Sequence, residues 1–97
     1  MKLGMVVGTI VATQKDEKLQ GLRLMLVRDL SLGLDPKDSF VVAADSVGAG
    51  EGEVVLYASG SSARMTQVTQ NRPVDAVIMA IVDTLVVGQE TRYQKGS

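Results

Sequence analysis

The sequence predicts a mainly β chain folded as one small, barrel-like domain. Three observations carry that expectation. Apolar and β-branched residues fall at period two in residues 2–13 and again in 21–30. Gly4 and Gly8 fall inside an expected strand, where a barrel needs bends or close backbone approach. Clusters of Gly, Ser, Pro and Asp separate the apolar runs, as turns do. A chain of 97 residues allows one core, so residues 1–97 form a single domain.

The elements follow in order. Residues 2–13 read as a strand with Leu3, Met5, Val7, Thr9 and Val11 on one face and Gly4, Val6, Gly8, Ile10 and Ala12 on the other. One lysine before an apolar stretch resembles a signal peptide. Two glycines and no small-x-small cleavage site argue for the strand instead. QKDEK at 14–18 is a charged turn. In 21–30, Leu22, Leu24 and Leu26 share one face and Arg23, Met25 and Val27 the other. Residues 31–38, SLGLDPKD, read as a loop. Phe40 to Ala44 is a short strand, and Glu53 to Ala58 another, entered from the glycine-rich turn VGAGEG. Ser61 to Gln67 fits a short helix capped by Ser61 or Ser62.

Residues 73–87, PVDAVIMAIVDTLVV, fit two patterns. Val74, Val77, Ile78, Ile81, Val82 and Leu85 make a helical stripe, and Pro73 and Asp75 suit a helix start. The Val, Ile and Thr content favours a strand, apolar on both faces. Such a strand needs an outer cover, and with little helix available another subunit is the expected one.

Composition excludes several function classes. Without Cys or His there is no thiol chemistry, imidazole base or Cys/His zinc site. A carboxylate-only metal site stays open. A net charge of −1 and three aromatics give no footprint for nucleic acid or anionic membrane. The longest charge-free apolar run, Ala76 to Val82, is about a third of the ~20 residues that a membrane helix needs.

VGAGEG has G-x-G-x-G spacing, not the dinucleotide G-x-G-x-x-G, and a strand follows it, so Gly48, Gly50 and Gly52 read as a tight turn. ASGSSAR lacks the G-x-S-x-G spacing, and no histidine exists to activate Ser61 or Ser62. Asp45, Asp75, Asp83, Glu51 and Glu53 read as turn and ion-pair residues, with Arg64 or Arg72 as partners, rather than as acid–base catalysts.

Four stretches carry a family resemblance: MKLGMVVGTIVATQK, GLRLMLV at 21–27, AADSVGAGEGEVVLYASGSSAR at 43–64 and RPVDAVIMAIVDTL at 72–85. In this order and spacing the chain resembles the EutN/CcmL family, the pentameric vertex proteins of bacterial microcompartment shells. The resemblance implies an OB-like barrel of five strands with a short helix, and makes residues 73–87 mainly strand. It also implies a homopentamer that closes a shell vertex beside hexagonal shell proteins, in the cytoplasm, around encapsulated enzymes as in carboxysomes. Neither enzyme activity nor a cofactor is implied. Carried onto this chain, the signature turns are Gly48, Gly50 and Gly52, then Gly60, Ser61, Ser62, Ala63 and Arg64. They are expected to shape barrel ends and subunit contacts, with Ser61 and Ser62 near the five-fold axis. Pro73, Asp75, Ile81 and Asp83 are expected in turns or at the subunit interface. The tail from about 88 to 97 is individual to this chain, expected to pair with a neighbour or lie free. The alternative reading is an OB-like oligonucleotide- or ligand-binding module.

Overall fold

The computed structural model describes residues 1–96. Seven strands form along the chain: β1 (Lys2–Ile10), β2 (Leu24–Leu30), β3 (Pro36–Asp45), β4 (Val54–Ser59), β5 (Ala76–Ile81), β6 (Thr84–Val87) and β7 (Glu90–Gln94). The first five close into a barrel in the order β1-β2-β3-β5-β4, with β4 returning to β1. All neighbours are antiparallel except β3 and β5, which run parallel. That connectivity is the OB-like arrangement.

The barrel is filled by Val6, Met25, Val27, Ala43, Ala49, Val55, Tyr57, Ala76 and Ile78, with Val41 and Ile81 half-buried against them. Gly4 is the close approach expected inside β1: a Cβ there would meet Val27 Cγ1 at 2.5 Å. Gly8 is not so confined, its nearest neighbour being Leu26 Cβ at 3.9 Å.

Two bulges reset the alternation of faces. In β1, Val6 pairs with Val27 and Gly8 with Leu26, which leaves Val7 as the extra residue. In β5, Ile78 pairs with Tyr57 and Ala80 with Leu56, which leaves Met79 extra. Beyond that bulge the inward positions change parity. Ile78 and Ile81 therefore both face the core, although strict alternation puts them on opposite faces.

The ends of several elements differ from the sequence expectation. Pro36, Lys37 and Asp38, expected in a loop, begin β3, because Pro36 pairs with Leu30 beyond a bulge of β3 at Lys37–Ser39. The expected helix over Ser61–Gln67 is a five-residue 3-10 turn, Gly60–Arg64, capped at Ser59 without a side-chain cap bond. Ser62 Oγ instead donates back to the Ser59 carbonyl at 2.8 Å, a local bond that competes with helix extension. The expected long strand over 73–87 breaks at Val82–Asp83 into β5 and β6. The tail is not loose over its described part, since β7 pairs with β6 as a hairpin. That hairpin packs on itself and scarcely touches the barrel. The molecule measures 46 × 23 × 23 Å.

Candidate assembly site

The register of β4 and β5 sorts the expected signature residues into two groups. Ser59 pairs with Ala76 at one end of this strand pair, and Val55 pairs with Ile81 near the other. At the first end lie Gly60, Ser61, Ser62, Arg64, Pro73 and Asp75. Gly60, at φ 69°, turns the chain, and its N–H donates to the Asp75 carbonyl at 2.8 Å. Arg64 Nη1 donates to the Val74 carbonyl at 3.2 Å. Ser61, Ser62 and Arg64 are exposed, as are Pro73 and Asp75, while Ala63 is fully buried. Ala63 packs with Ala44, Ala58 and Val77, and Leu22, Leu24, Val74 and Met79 close around them. The chain therefore covers part of its own second apolar face with a turn and a loop, a role the sequence expectation assigned to another subunit.

At the other end lie Gly48, Gly50, Gly52 and Asp83. Gly48 and Gly52 have φ of 78° and 85°, the left-handed conformation that favours glycine. Asp45, nearly buried, organises this turn. Its Oδ1 accepts from the backbone N–H groups of Val47, Gly48 and Ala49 at 3.0, 3.1 and 3.2 Å. Its Oδ2 accepts from Arg23 Nη1 at 3.1 Å, and the same nitrogen donates to the Ala49 carbonyl at 2.9 Å. The turn thus folds around a carboxylate, and Ala49 plugs the barrel core beneath it. The ion-pair partner of Asp45 is Arg23, not Arg64 or Arg72. Arg72 Nη1 donates instead to the carbonyls of Lys18 and Gln20, at 2.9 and 2.7 Å.

Glu53 joins the glycine turn to the hairpin. Its Oε1 accepts from the Gly50 N–H at 2.6 Å and its Oε2 from Lys95 Nζ at 2.5 Å. The Lys95 N–H donates to the Asp83 carbonyl at 2.7 Å, at the hairpin base. The Lys95 ammonium and the Gly50 N–H hold the Glu53 carboxyl below its ordinary range, and Glu53 in turn raises the Lys95 ammonium.

A second carboxylate escaped the sequence reading. Asp29 accepts from the Tyr57 hydroxyl and, at 2.5 Å, from Ser39 Oγ. Burial works against the charged Asp29, but these bonds and the nearby Lys2 and Lys37 outweigh it and lower its pKa. Burial, with the carboxylate beside it, pushes the Tyr57 phenol up to about 12. The signal was present: Asp29 follows Met25 and Val27 at period two on the inward face of β2, paired with Gly4 of β1.

Ser62 Oγ is engaged with the Ser59 carbonyl rather than with a basic group. Among the described residues no group of three or more acidic side chains is placed to hold a metal ion. No described helix is long and apolar enough to cross a membrane. What the surface does present is apolar. Val7, Ile10, Phe40 and Val42 stand exposed on the outer face of β1–β3. A groove of about 300 Å³ lies beside them, lined by Met5, Val7, Arg28, Leu30, Leu34 and Pro36. The Arg28 guanidinium sits 5.2 Å from the centre of the Phe40 ring. Val86 and Val87 are exposed on the hairpin. Apolar surface of this extent on a small chain marks a contact surface.

The family model described as "Ethanolamine utilisation protein EutN/carboxysome" matches residues 1–83. The carboxysome shell vertex protein CcmL of Gloeobacter violaceus is 40% identical over 95 residues, 98% of this chain and 95% of that protein. The solved Gloeobacter violaceus CcmL structure superposes with a TM-score of 0.96 at 39% identity, covering all of both chains. The pentameric microcompartment shell protein GrpN of Rhodospirillum rubrum superposes with a TM-score of 0.81 at 45% identity, covering 90% of this chain and 100% of that one.

Proposed function

The chain belongs to the EutN/CcmL family, and from that premise we propose that it is a shell vertex protein, five copies of which close one vertex of a bacterial microcompartment. The observation that carries this reading is the match to solved vertex proteins along the whole barrel, with a TM-score of 0.96 to one of them. The apolar outer face of β1–β3 supports it, because a ring of barrels gives that face a cover. A ring is built from a heterologous interface, in which one surface of a subunit meets a different surface of the next. A flat hexagonal lattice cannot close on itself, so a five-fold unit supplies the curvature. In this role the flanking partners are hexagonal shell proteins.

The two residue groups then take separate duties. Gly60, Ser61, Ser62 and Arg64, braced by Pro73 and Asp75, form the end of the barrel directed toward the five-fold axis. Ser61 and Ser62, exposed and small, line the opening there. Gly48, Gly50, Gly52 and Asp83 shape the opposite end and set the direction in which the hairpin leaves. Ile81 acts from inside the barrel, holding β5 in place behind the contact surface.

Native mass spectrometry of the purified chain at low micromolar concentration tests the reading. The expected dominant species has five times the 10.3 kDa chain mass. A stable monomer under gentle conditions would overturn the ring.

A further inference from the structure

At one mouth the apolar filling of the barrel gives way to polar side chains. The inward rows of β1, β2, β3 and β4 run out there in Lys2, Asp29, Ser39 and Tyr57. Tyr57 and Ser39 both donate to Asp29 and cap the core behind them. Asp29 in turn lines a cavity of about 280 Å³, together with Lys2, Lys37 and the first residues after β2, Ser31 and Leu32. Leu3 and Leu30 add apolar wall. The loop that follows β2 is set by its own bonds. The Ser31 N–H donates to the Asp35 carbonyl at 3.0 Å, and the Leu34 N–H to the Ser31 carbonyl at 2.9 Å. The Asp35 N–H donates to Ser31 Oγ at 3.1 Å, so the Ser31 hydroxyl accepts there and keeps its own proton to give. Among the described residues neither the Lys2 nor the Lys37 ammonium has a carboxylate within ion-pair distance. Both act on Asp29 only from further away.

We propose that this cavity is a binding site for a small hydroxy-acid anion, a carboxylate with a hydroxyl beside it. The lining dictates the class. Two ammonium groups without a carboxylate partner call for an anion, and charge-assisted hydrogen bonds are the strong ones. Asp29 opposes a bare anion, so the ligand must bring a donor to it. One Asp29 oxygen takes a proton from Tyr57 and the other from Ser39, and each carboxylate oxygen has a second lone pair to offer. A ligand hydroxyl fills that place. The Ser31 hydroxyl supplies a third donor to the ligand carboxylate. Leu3, Leu30 and Leu32 accept a short carbon chain and leave no partner for a further charge. The volume sits near the lower end of small-molecule pockets, about 300–1,000 Å³, which suits an acid of a few carbons. The mouths of β-barrels are recurrent places for such sites. Strand ends and a self-bonded loop hold the donors before any ligand arrives, which lowers the cost of binding. All of these groups come from one chain, so the site stands apart from the pentamer reading.

The test titrates the nitrogen-labelled full-length protein, in the assembly it adopts, with L-lactate and follows the amide resonances of Leu30, Ser31 and Leu32. Saturable shifts centred on these residues are expected. Lactamide keeps the hydroxyl and loses the charge, and propionate keeps the charge and loses the hydroxyl. Each is expected to bind about tenfold more weakly than lactate, the cost of one hydrogen bond to a charged group. Lys2→Gln combined with Lys37→Gln changes two exposed side chains, and is expected to weaken lactate by at least as much while keeping the parent's urea midpoint. Lys15→Gln, a lysine outside the cavity, is expected to leave lactate binding unchanged. No saturable shift with lactate, or equal lactate affinity in the parent and the double-lysine variant, would overturn the site. The same shifts from sodium chloride at equal ionic strength would mark screening alone and overturn it too. Propionate binding as tightly as lactate would overturn the contact with Asp29 and with it the hydroxy-acid class.

Discussion

Asp45 is the residue on which most of one barrel end depends. Three backbone donors and one guanidinium converge on a carboxylate that is nearly out of solvent. Removing a buried acceptor leaves its donors unsatisfied, a cost larger than the net value of the bonds. Asp45→Ala is expected to destabilise the chain by about 3 kcal/mol in urea unfolding. Asp45→Asn keeps an oxygen for the turn and is expected to cost clearly less. Equal losses for the two would mean that charge, not acceptance by Oδ1, is what matters. The aspartate before a glycine-rich run was legible as a turn former, and its role as one follows. Its partner was not legible: Arg23 lies 22 positions away, and sequence spacing says nothing of contacts made across a barrel. The same holds for Asp29 and Tyr57, 28 positions apart.

At the scale of elements, strands were the readable part and their ends were not. Alternation located β1, β2 and β4 because one face of each is apolar and buried. It failed within β5, where the Met79 bulge changes the parity of every later residue. A bulge is a tertiary adjustment to barrel curvature and leaves no composition signal here. The break at Val82–Asp83 is similarly invisible, since the apolar run continues through Val86 and Val87. The inward position of Ile81 has a direct test. Ile81→Glu sets an unpaired carboxylate against the barrel core and is expected to destabilise by about 2–4 kcal/mol. An unchanged urea midpoint would put that side chain in solvent and the bulge at another position.

For the whole molecule, the question is how the hairpin is held relative to the barrel. The Glu53–Lys95 pair is the tie, with Gly50 on one side and Asp83 on the other. Its pH limits follow from the directions of the two shifts. The folded Glu53 pKa lies below 4.5, so its contribution is present above 4.5 and lost as pH falls through the folded value. The folded Lys95 pKa lies above 10.5, so its contribution is full below 10.5 and lost as pH rises through the folded value. The tie is therefore complete between about 4.5 and 10.5. On acidification below that window the Gly50 amide proton resonance is expected to move toward its unbonded position, and Glu53→Gln is expected to abolish that step. A Gly50 resonance flat down to pH 2 in the parent protein would show that Glu53 does not hold the turn.

The tyrosine hydrogen-bonded to Asp29 also gives the molecule an optical property. There is no tryptophan, and only Tyr57 and Tyr93 can emit beyond the weak phenylalanine band. A phenol donating to a carboxylate loses part of its emission, so Tyr57 in the barrel is expected to be the dimmer of the two. Tyr93 sits on the hairpin opposite Leu85. The ultraviolet fluorescence of the intact chain is therefore expected to be weighted toward Tyr93 on the hairpin, an unlabelled signal that would follow its surroundings as copies meet.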